Sequence, residues 1–296
     1  MKKAILVFGI LLFLGTAQAG EKAGPKVYVS VDMEGIWGVV HGNQTSSDSP
    51  EFGPARKWMV EDTNAVIAGL FEAGAAEVVV NDSHGSMRNI VASDLDPAAA
   101  LISGTPKAFS MMEGIDAACE AVLFIGYHAR AGTASAVLDH TISSGTLRAV
   151  KINGREMPEL GINAAVAGAF GVPVIMLSGD EETCAQARSY LGEGLVTVAV
   201  KSGLGRTSAR LLPRAEALRL LRAGAKEAFL KRKQAPPFKL SPPFSFELEF
   251  HNSGQAELPL FIPGVKKTSA RSVAFSAGEF IEGYKLMRAL IALASS

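Results

Sequence analysis

The chain has 296 residues, enough for one large or two ordinary domains, and 48% of them are hydrophobic, which excludes a disordered protein. Lysine plus arginine and aspartate plus glutamate both number 29, so the formal net charge is zero. This balance indicates neither a nucleic-acid-binding surface nor a polybasic membrane face. The cysteines are Cys119 and Cys184, and neither belongs to a CxxC pair. We expect two buried free thiols and no thiolate metal site.

The N-terminal segment has the pattern of a secretory signal peptide. Two lysines precede the apolar run AILVFGILLFLG, which is too short to span a bilayer comfortably. The small residues Ala17 and Ala19 then flank Gln18 and form a cleavage pattern. We expect cleavage after Ala19 and an exported protein, periplasmic or secreted, with no stable membrane association after cleavage. An uncleaved anchor is the alternative.

Strand-like and helix-like segments alternate after the signal sequence. Apolar or β-branched runs predict strands, and apolar residues at i, i+3 and i+4 predict helices. In chain order, the predictions are a strand at 27–31, a loop at 36–53, a helix at 54–74, a strand at 78–80, a helix-like segment at 109–119, a strand at 121–125, a helix at 157–171, a strand at 172–180, a helix at 181–192 and a strand at 195–201. This alternation predicts an α/β fold, with a largely parallel sheet flanked by helices.

The rest of the chain follows a different pattern. A long amphipathic helix begins near residue 211, and the proline-rich segment APPFKLSPPF predicts an extended link. The strand-like FELEF, a segment at 268–275 and a final helix from residue 278 complete a smaller α+β part. We therefore expect a signal peptide at 1–19, an α/β domain at 20–205 and a smaller C-terminal α+β domain at 206–296.

Two carboxylates follow the first predicted strand. Asp32 and Glu34 are two residues apart, so they point the same way if the strand geometry extends that far. Gly35 then lets the chain turn. Two converging acids repel each other and are costly to remove from water, so they need a cation or a solvated loop. For this pair alone, a solvated acidic turn is the alternative.

Histidines follow the next two apolar strands. His84 lies in NDSHG, after the strand at 78–80, and His128 lies in GYHA, after the strand at 121–125. Ligands bind at the carboxyl ends of parallel strands, so we expect these side chains and the two acids to face one crevice. Each histidine alone could be a turn or structural residue. Together with the acids they indicate zinc, which binds imidazole nitrogen and carboxylate oxygen.

The four groups suit a site for two zinc ions. Two-metal hydrolases hold their ions about 3.5–4 Å apart, and a carboxylate with one oxygen on each ion can set that distance. Asp32 comes directly off its strand and is the candidate bridge. Such a site needs one more acid, and the residue pattern leaves four candidates open: Asp82, Asp139, Glu159 and Asp180.

Several motifs together resemble a known enzyme family. SVDMEG, NDSHG, GYHARA, HTI, PELGINA and GQAE occur in this order over roughly residues 26–292. They resemble the zinc-dependent D-aminopeptidase family, metallopeptidases of the DppA type. The resemblance implies two zinc ions per chain, with Asp32 as the bridge, held by Asp32, Glu34, His84, His128 and Glu159. It thereby favours Glu159 as the fifth ligand, although an acid at a helix N-terminus can also be purely structural.

The resemblance also implies a histidine that acts outside the metal shell. His140 in LDHTI corresponds to it, although its spacing from GYHA is slightly longer than expected, and a surface histidine is the alternative. Arg130 lies two residues after a proposed ligand and is a candidate to orient an acid or a peptide carboxylate. Asn252 is a candidate for substrate binding, with structural hydrogen bonding as the alternative.

The resemblance implies a dizinc aminopeptidase that removes an N-terminal residue, such as D-alanine, from short peptides. His140 would act as general acid and base or would stabilise the oxyanion. A self-compartmentalised homo-oligomer is also implied, for example a decamer of two stacked pentamers. Export is a departure from the familiar cytoplasmic form of the family. The alternatives are a dizinc amidohydrolase acting on L-peptides or other amides, a phosphoesterase, and a non-catalytic exported protein that binds peptides or metal.

Overall fold

The computed structural model describes residues 24–296, and the signal peptide expected at residues 1–19 lies outside them. The strands are β1 Lys26–Val31, β2 Glu77–Asp82, β3 Ala100–Ile102, β4 Cys119–Ile125, β5 Leu147–Ile152, β6 Arg155–Glu156, β7 Val174–Asp180, β8 Val196–Gly205, β9 Ser208–Leu211, β10 Phe244–Phe250, β11 Lys266–Ser269 and β12 Ser272–Ala277. The α-helices are α1 Phe52–Glu72, α2 Glu159–Ala169, α3 Glu181–Leu191, α4 Arg214–Lys231 and α5 Phe280–Ala294.

Seven strands form the first sheet, in the spatial order β3, β2, β1, β4, β7, β8 and β9. All neighbours are parallel except β8 and β9, which form an antiparallel hairpin. The apolar strands are buried on both faces, as expected for a sheet covered by helices. The predicted α/β fold with a largely parallel sheet is confirmed, and β1 lies inside the sheet between β2 and β4.

The two faces of this sheet pack into different cores. Val27, Val29 and Val31 of β1 point into a core shared with α1 and α4. Tyr28, on the opposite face, points into a core shared with α2, α5 and the second sheet. This division follows from the alternation of strand side chains between the two faces. The metal-ligand candidates therefore project from the edge of a rigid layer packed on both sides.

The second sheet is antiparallel, in the order β11, β12, β10, β5 and β6. The second sheet combines strands from both sides of residue 205. Strand β5 pairs with β10 in the second sheet, while β9 and α4 belong to the first layer. The reason is that β5 finds its partner some ninety residues away, a pairing that local patterns do not encode.

The segment 109–119 differs from the predicted helix-like segment. It contains only the short 3-10 helix Ser110–Met112, and Gly114 then adopts a positive φ that ends any helical path. Cys119 is the first residue of β4 and not part of a helix. Both Cys119 and Cys184 are buried free thiols, as predicted.

Across residues 24–296, none of the helices combines the length and the apolar character that crossing a membrane requires.

Candidate metal centre

Three neighbouring strands end at the same edge of the first sheet. In the register of the sheet, Val31 of β1 lies opposite Asp82 of β2 and Ile125 of β4. The residues that follow are Asp32, His84 and His128, so the parallel arrangement brings their side chains to one place. The strand itself stops at Val31, so Asp32 and Glu34 belong to the turn that follows it.

Glycines allow the ends of β1 and β4 to approach closely. A Cβ atom at Gly35 would clash with the carbonyl oxygen of Tyr127. Gly126 has a φ of +68°, and a Cβ atom there would clash with the carbonyl oxygen of Asp32. The backbone bond from Gly35 N to Gly126 O, 2.8 Å long, closes this contact. The two turns that carry the candidate ligands are thus fixed against each other.

Asp32 lies between two groups of side chains. On one side, His84 Nδ1 is 3.2 Å from Asp32 Oδ1 and 3.0 Å from Glu34 Oε2. On the other, His128 Nε2 is 3.5 Å from Asp32 Oδ2 and 3.2 Å from Glu159 Oε1. The structure thus brings together all five residues that the resemblance singled out. Asp32, with one oxygen facing each group, has the position that a bridging carboxylate needs.

Each histidine in this cluster donates one hydrogen bond to a backbone carbonyl, which fixes its ring. His84 Nε2 lies 3.0 Å from Thr45 O, and His128 Nδ1 lies 2.9 Å from Ala129 O. Because a carbonyl oxygen can only accept, these nitrogens carry the proton in the neutral rings. The other nitrogen of each ring then turns its lone pair towards the carboxylates. This is the usual support of a metal-binding histidine.

The donor set fits a metal ion. Asp32, Glu34, His128 and Glu159 are at most 5% exposed. Within residues 24–296, Asp32 Oδ2 and His128 Nε2 are buried without any hydrogen-bond partner. Buried polar atoms are rarely left unpaired, and a cation between these two atoms would satisfy both. Imidazole nitrogen and carboxylate oxygen are the donors that zinc takes.

The charges of the cluster shift the ionisation of its members. Burial and the neighbouring Glu34 charge raise the pKa of Asp32 to about 7. Burial lowers the pKa of His128, but the Glu159 and Asp32 carboxylates outweigh it and raise that pKa to about 10. Burial likewise lowers the pKa of His84, but the Glu34 and Asp32 carboxylates outweigh it and hold that pKa well above the usual value. Without a metal, protons on the histidines thus balance the clustered acids.

His140 stands beside the cluster. Its ring stacks on that of His128, with 3.9 Å between the ring centroids, and its Nε2 is 3.6 Å from Glu159 Oε1. Its Nδ1 lies 2.9 Å from Leu138 O, which leaves Nε2 as the free nitrogen. Burial and the adjacent His128 charge lower the pKa of His140, so the ring is neutral near pH 7. His140 is placed to exchange a proton at Nε2.

A cavity of about 400 Å³ opens onto these residues. Its wall includes Asp32, Glu34, His84, His140 and Glu159. Thr45, Ser110 and Arg288 of α5 are also among the residues that line it. A second cavity, about 510 Å³ in volume, adjoins the other side of His140.

The two residues expected to bind substrate, Arg130 and Asn252, lie away from the ligand cluster. The Arg130 guanidinium is paired with Glu156 at 2.6 Å and lines the second cavity. Asn252 is exposed and lines neither cavity. Its side-chain oxygen accepts a hydrogen bond from Gln255 N, so it closes a local turn.

Three of the four acids left open by the sequence have structural partners elsewhere. Asp82 accepts hydrogen bonds from the backbone N–H groups of Asn89 and Ile90, and Asp180 caps α3. Asp139 binds Arg206 at 3.1 Å. Glu159 is the acid that reaches His128. It is held there by a 2.5 Å hydrogen bond from Ile142 N.

Comparison with known proteins shows the family of the chain. Residues 26–289 match the Peptidase M55 family, D-aminopeptidase. The chain belongs to this family. It is therefore a zinc metallopeptidase of the D-aminopeptidase type.

Two relatives are close in sequence and structure. A D-aminopeptidase of Bacillus subtilis (strain 168) is 40% identical over 272 residues, which cover 91% of this chain and 97% of that protein. The solved structure of the Zn-dependent D-aminopeptidase DppA from Bacillus subtilis, a self-compartmentalizing protease, has a TM-score of 0.88 at 38% identity. That match covers 91% of this chain and 98% of the solved one.

Lys201 holds the turn that carries Glu34 of the aminopeptidase site, and the sequence analysis did not identify this role. The side chain is 2% exposed, and its ammonium donates to the carbonyl oxygens of Glu34 and Ile36 at 2.6 and 2.8 Å and to that of Val39. Burial lowers the pKa of Lys201 to about 7, against the pull of the Asp180 carboxylate. A charged residue inside an otherwise apolar strand is the signal that could have revealed it.

Replacing this lysine is expected to weaken both fold and site. Lys201→Met would remove the ammonium donor from the carbonyls of Glu34 and Val39 and would leave that of Ile36 with only the Val39 N–H. The expected loss in free energy of unfolding is about 3–5 kcal/mol. Denaturant unfolding measures the loss, and zinc titration should show about 10- to 100-fold weaker binding because the Glu34 turn loosens. The exposed Lys266→Met is the control, and equal behaviour of the two variants would refute the supporting role.

Zinc binding by the metal-free aminopeptidase is expected to release protons. His84 and His128 have raised pKa values and are protonated at pH 7, whereas a bound metal requires neutral imidazole. Zinc affinity should therefore fall as the pH falls, because the proton competes better for the rings. Calorimetry in two buffers of different ionisation enthalpy measures the release, expected at about one to two protons per chain. Binding enthalpies that do not depend on the buffer would contradict this arrangement of charges.

Proposed function

We propose that this protein is an exported dizinc aminopeptidase that removes an N-terminal residue, such as D-alanine, from short peptides. The observation that carries the proposal is the position of Asp32 between the His84–Glu34 pair and the His128–Glu159 pair. When bound, two zinc ions would supply Lewis acidity at the scissile carbonyl and a water activated near neutral pH. Asp32 would be shared between the ions, with Glu34 and His84 on one and His128 and Glu159 on the other.

His140 has the role of proton carrier in this proposal. Its neutral Nε2 faces the ligand cluster, and the ring lines the cavity beside Glu159. Nε2 would accept a proton from the attacking water and then donate it to the leaving amine. The Leu138 carbonyl accepts from Nδ1 and so keeps the proton on that nitrogen, and stacking on His128 keeps the ring in place. The products are a free amino acid and the shortened peptide.

The test combines metal analysis with a stereochemical assay. Purified protein should contain about two zinc ions per chain. It should release alanine from D-alanyl-D-alanine at least about 100-fold faster, in kcat/KM, than from L-alanyl-L-alanine. Equal or better cleavage of the L-dipeptide would favour the L-specific amidohydrolase. Turnover of phosphate esters alone would favour the phosphoesterase, and no turnover with full zinc would favour a binding protein.

Export is a separate part of the proposal. The charged start, the apolar run and the small residues Ala17 and Ala19 support it, and the family match begins only at residue 26. Mass spectrometry of the protein from a fractionated host tests it. We expect a mature chain that begins at Gly20 and is found outside the cytoplasm. A full-length chain in the cytoplasmic fraction would contradict export.

We also propose that the chain assembles into a homo-oligomer. Support comes from the description of DppA as self-compartmentalizing and from two exposed apolar side chains, Leu204 at 71% and Phe261 at 78% exposure. A decamer is the expected size. Light scattering on the eluted protein measures the mass directly, and a monomer at micromolar concentration would refute assembly.

A further inference from the structure

The cavity at the ligand cluster is lined by acidic residues and by one arginine. Asp32, Glu34 and Glu159 line it, and so does Arg288 of α5. Among the residues that line it, Arg288 is the one lysine or arginine. It is partly buried in the last two turns of α5, next to the buried Met287. A permanent cation therefore shares a small cavity with the reaction centre.

Arg288 has no partner in the part of the chain from residue 24 onward. It forms neither an ion pair nor a side-chain hydrogen bond there. The arginines of the neighbouring cavity behave differently. Arg130 binds Glu156 at 2.6 Å, Arg206 binds Asp139 at 3.1 Å, and Arg148 lies 3.4 Å from Glu249. Those guanidinium groups are neutralised within the protein, whereas that of Arg288 is left for something that enters the cavity.

The charge balance indicates what that partner is. The carboxylates of the cavity already pair with the histidines and would bind the proposed metal ions. A further cation near them needs an anion of its own, and a planar guanidinium matches a carboxylate best. The substrate of an aminopeptidase brings a free carboxylate at its C-terminal end. Two residues span at most about 7 Å, so a dipeptide keeps its carboxylate closer to the reaction centre than any longer peptide can.

We propose that Arg288 binds the free C-terminal carboxylate of the substrate and thereby restricts the enzyme to very short peptides, with dipeptides preferred. This inference rests on the proposed aminopeptidase function and narrows its substrate class. The N-terminal residue then lies at the ligand cluster and the carboxylate lies at α5. Longer peptides place their carboxylate beyond Arg288, and amides lack it.

The test uses two substrates that differ only at the carboxylate, D-alanyl-D-alanine and D-alanyl-D-alaninamide. The wild-type enzyme should prefer the free acid by about 10- to 100-fold in kcat/KM, the size of a charge-assisted hydrogen bond. In Arg288→Met, this preference should fall to about one, through a higher KM for the acid. Arg288→Lys should recover part of it, because the charge returns without the planar fork.

The control is Lys285→Met, which removes a positive charge from an exposed position of the same helix, over the Phe109 ring. It should keep the full preference for the acid, and all variants should have wild-type zinc content and thermal midpoint. An equal loss on both substrates, or a wild-type enzyme that cleaves both equally, would overturn the role of Arg288 and leave the aminopeptidase function intact. Failure of the wild-type enzyme on both substrates would overturn the function and this inference together.

Discussion

Asp32→Ala is expected to abolish zinc binding at both positions and to lower kcat/KM by about three orders of magnitude or more. Asp32 has one oxygen facing each ligand group, so its loss weakens the binding of both ions at once. A metal ion contributes several kcal/mol of charge stabilisation to hydrolysis, and each 1.36 kcal/mol is about tenfold in rate. Zinc content by mass spectrometry and dipeptide hydrolysis measure the two effects.

The control for this substitution is Asp48→Ala, an exposed acid in the loop between β1 and α1. It should retain both ions and full activity. Circular dichroism of Asp32→Ala should show the wild-type fold, since the substitution relieves the repulsion among buried acids and removes an Oδ2 that is unpartnered among the described residues, at the cost of the bond from Met33 N to Oδ1. A folded Asp32→Ala protein that keeps two zinc ions would rule out Asp32 as the bridge.

His140→Ala should separate metal binding from turnover. The proton-carrier role predicts wild-type zinc content and a loss of about 10²- to 10⁴-fold in kcat, the usual contribution of general acid–base catalysis. The ring lies outside the Asp32-centred contacts and touches the cluster through His128 and Glu159. Metal analysis and steady-state kinetics on the same preparation provide both numbers.

His41→Ala is the matched control, since His41 is exposed and caps the short helix Gly42–Gln44. It should leave kcat and zinc content unchanged. In the structure, ligand atoms of His128, His140 and Glu159 lie within 4.8 Å of one another, so a ligand role for His140 is the competing possibility. Loss of one zinc ion in His140→Ala would establish that competing role, and full activity would exclude both roles.

The sequence predicted most of the edge on which the site is built. The strands before Asp32, His84 and His128 are apolar runs, and the parallel alternation of strands and helices places their ends together. The strand pattern could not identify Glu159 as a ligand. It comes from the start of α2 and not from a strand of the first sheet, and several acids in the chain had equal local patterns. The family resemblance distinguished it.

The features that the sequence did not predict depend on contacts between distant segments. Strand β5 pairs with β10, and α4 returns to cover the first sheet beside α1. Lys201 resembled the polar end of a strand, but its ammonium lies under the turn at Glu34. Arg288 belongs to the predicted final helix, and the pattern of that helix does not show that the residue lines the cavity. Local periodicity describes elements, and these roles arise only once the elements are packed.

The most direct test of the two-metal site is anomalous diffraction from crystals of the zinc-loaded protein at the zinc absorption edge. We expect two peaks per chain, about 3.5–4 Å apart, with Asp32 bound to both. Glu34 and His84 should bind one ion, and His128 and Glu159 the other. A single peak, or two peaks that do not share Asp32, would contradict the bridged dizinc centre.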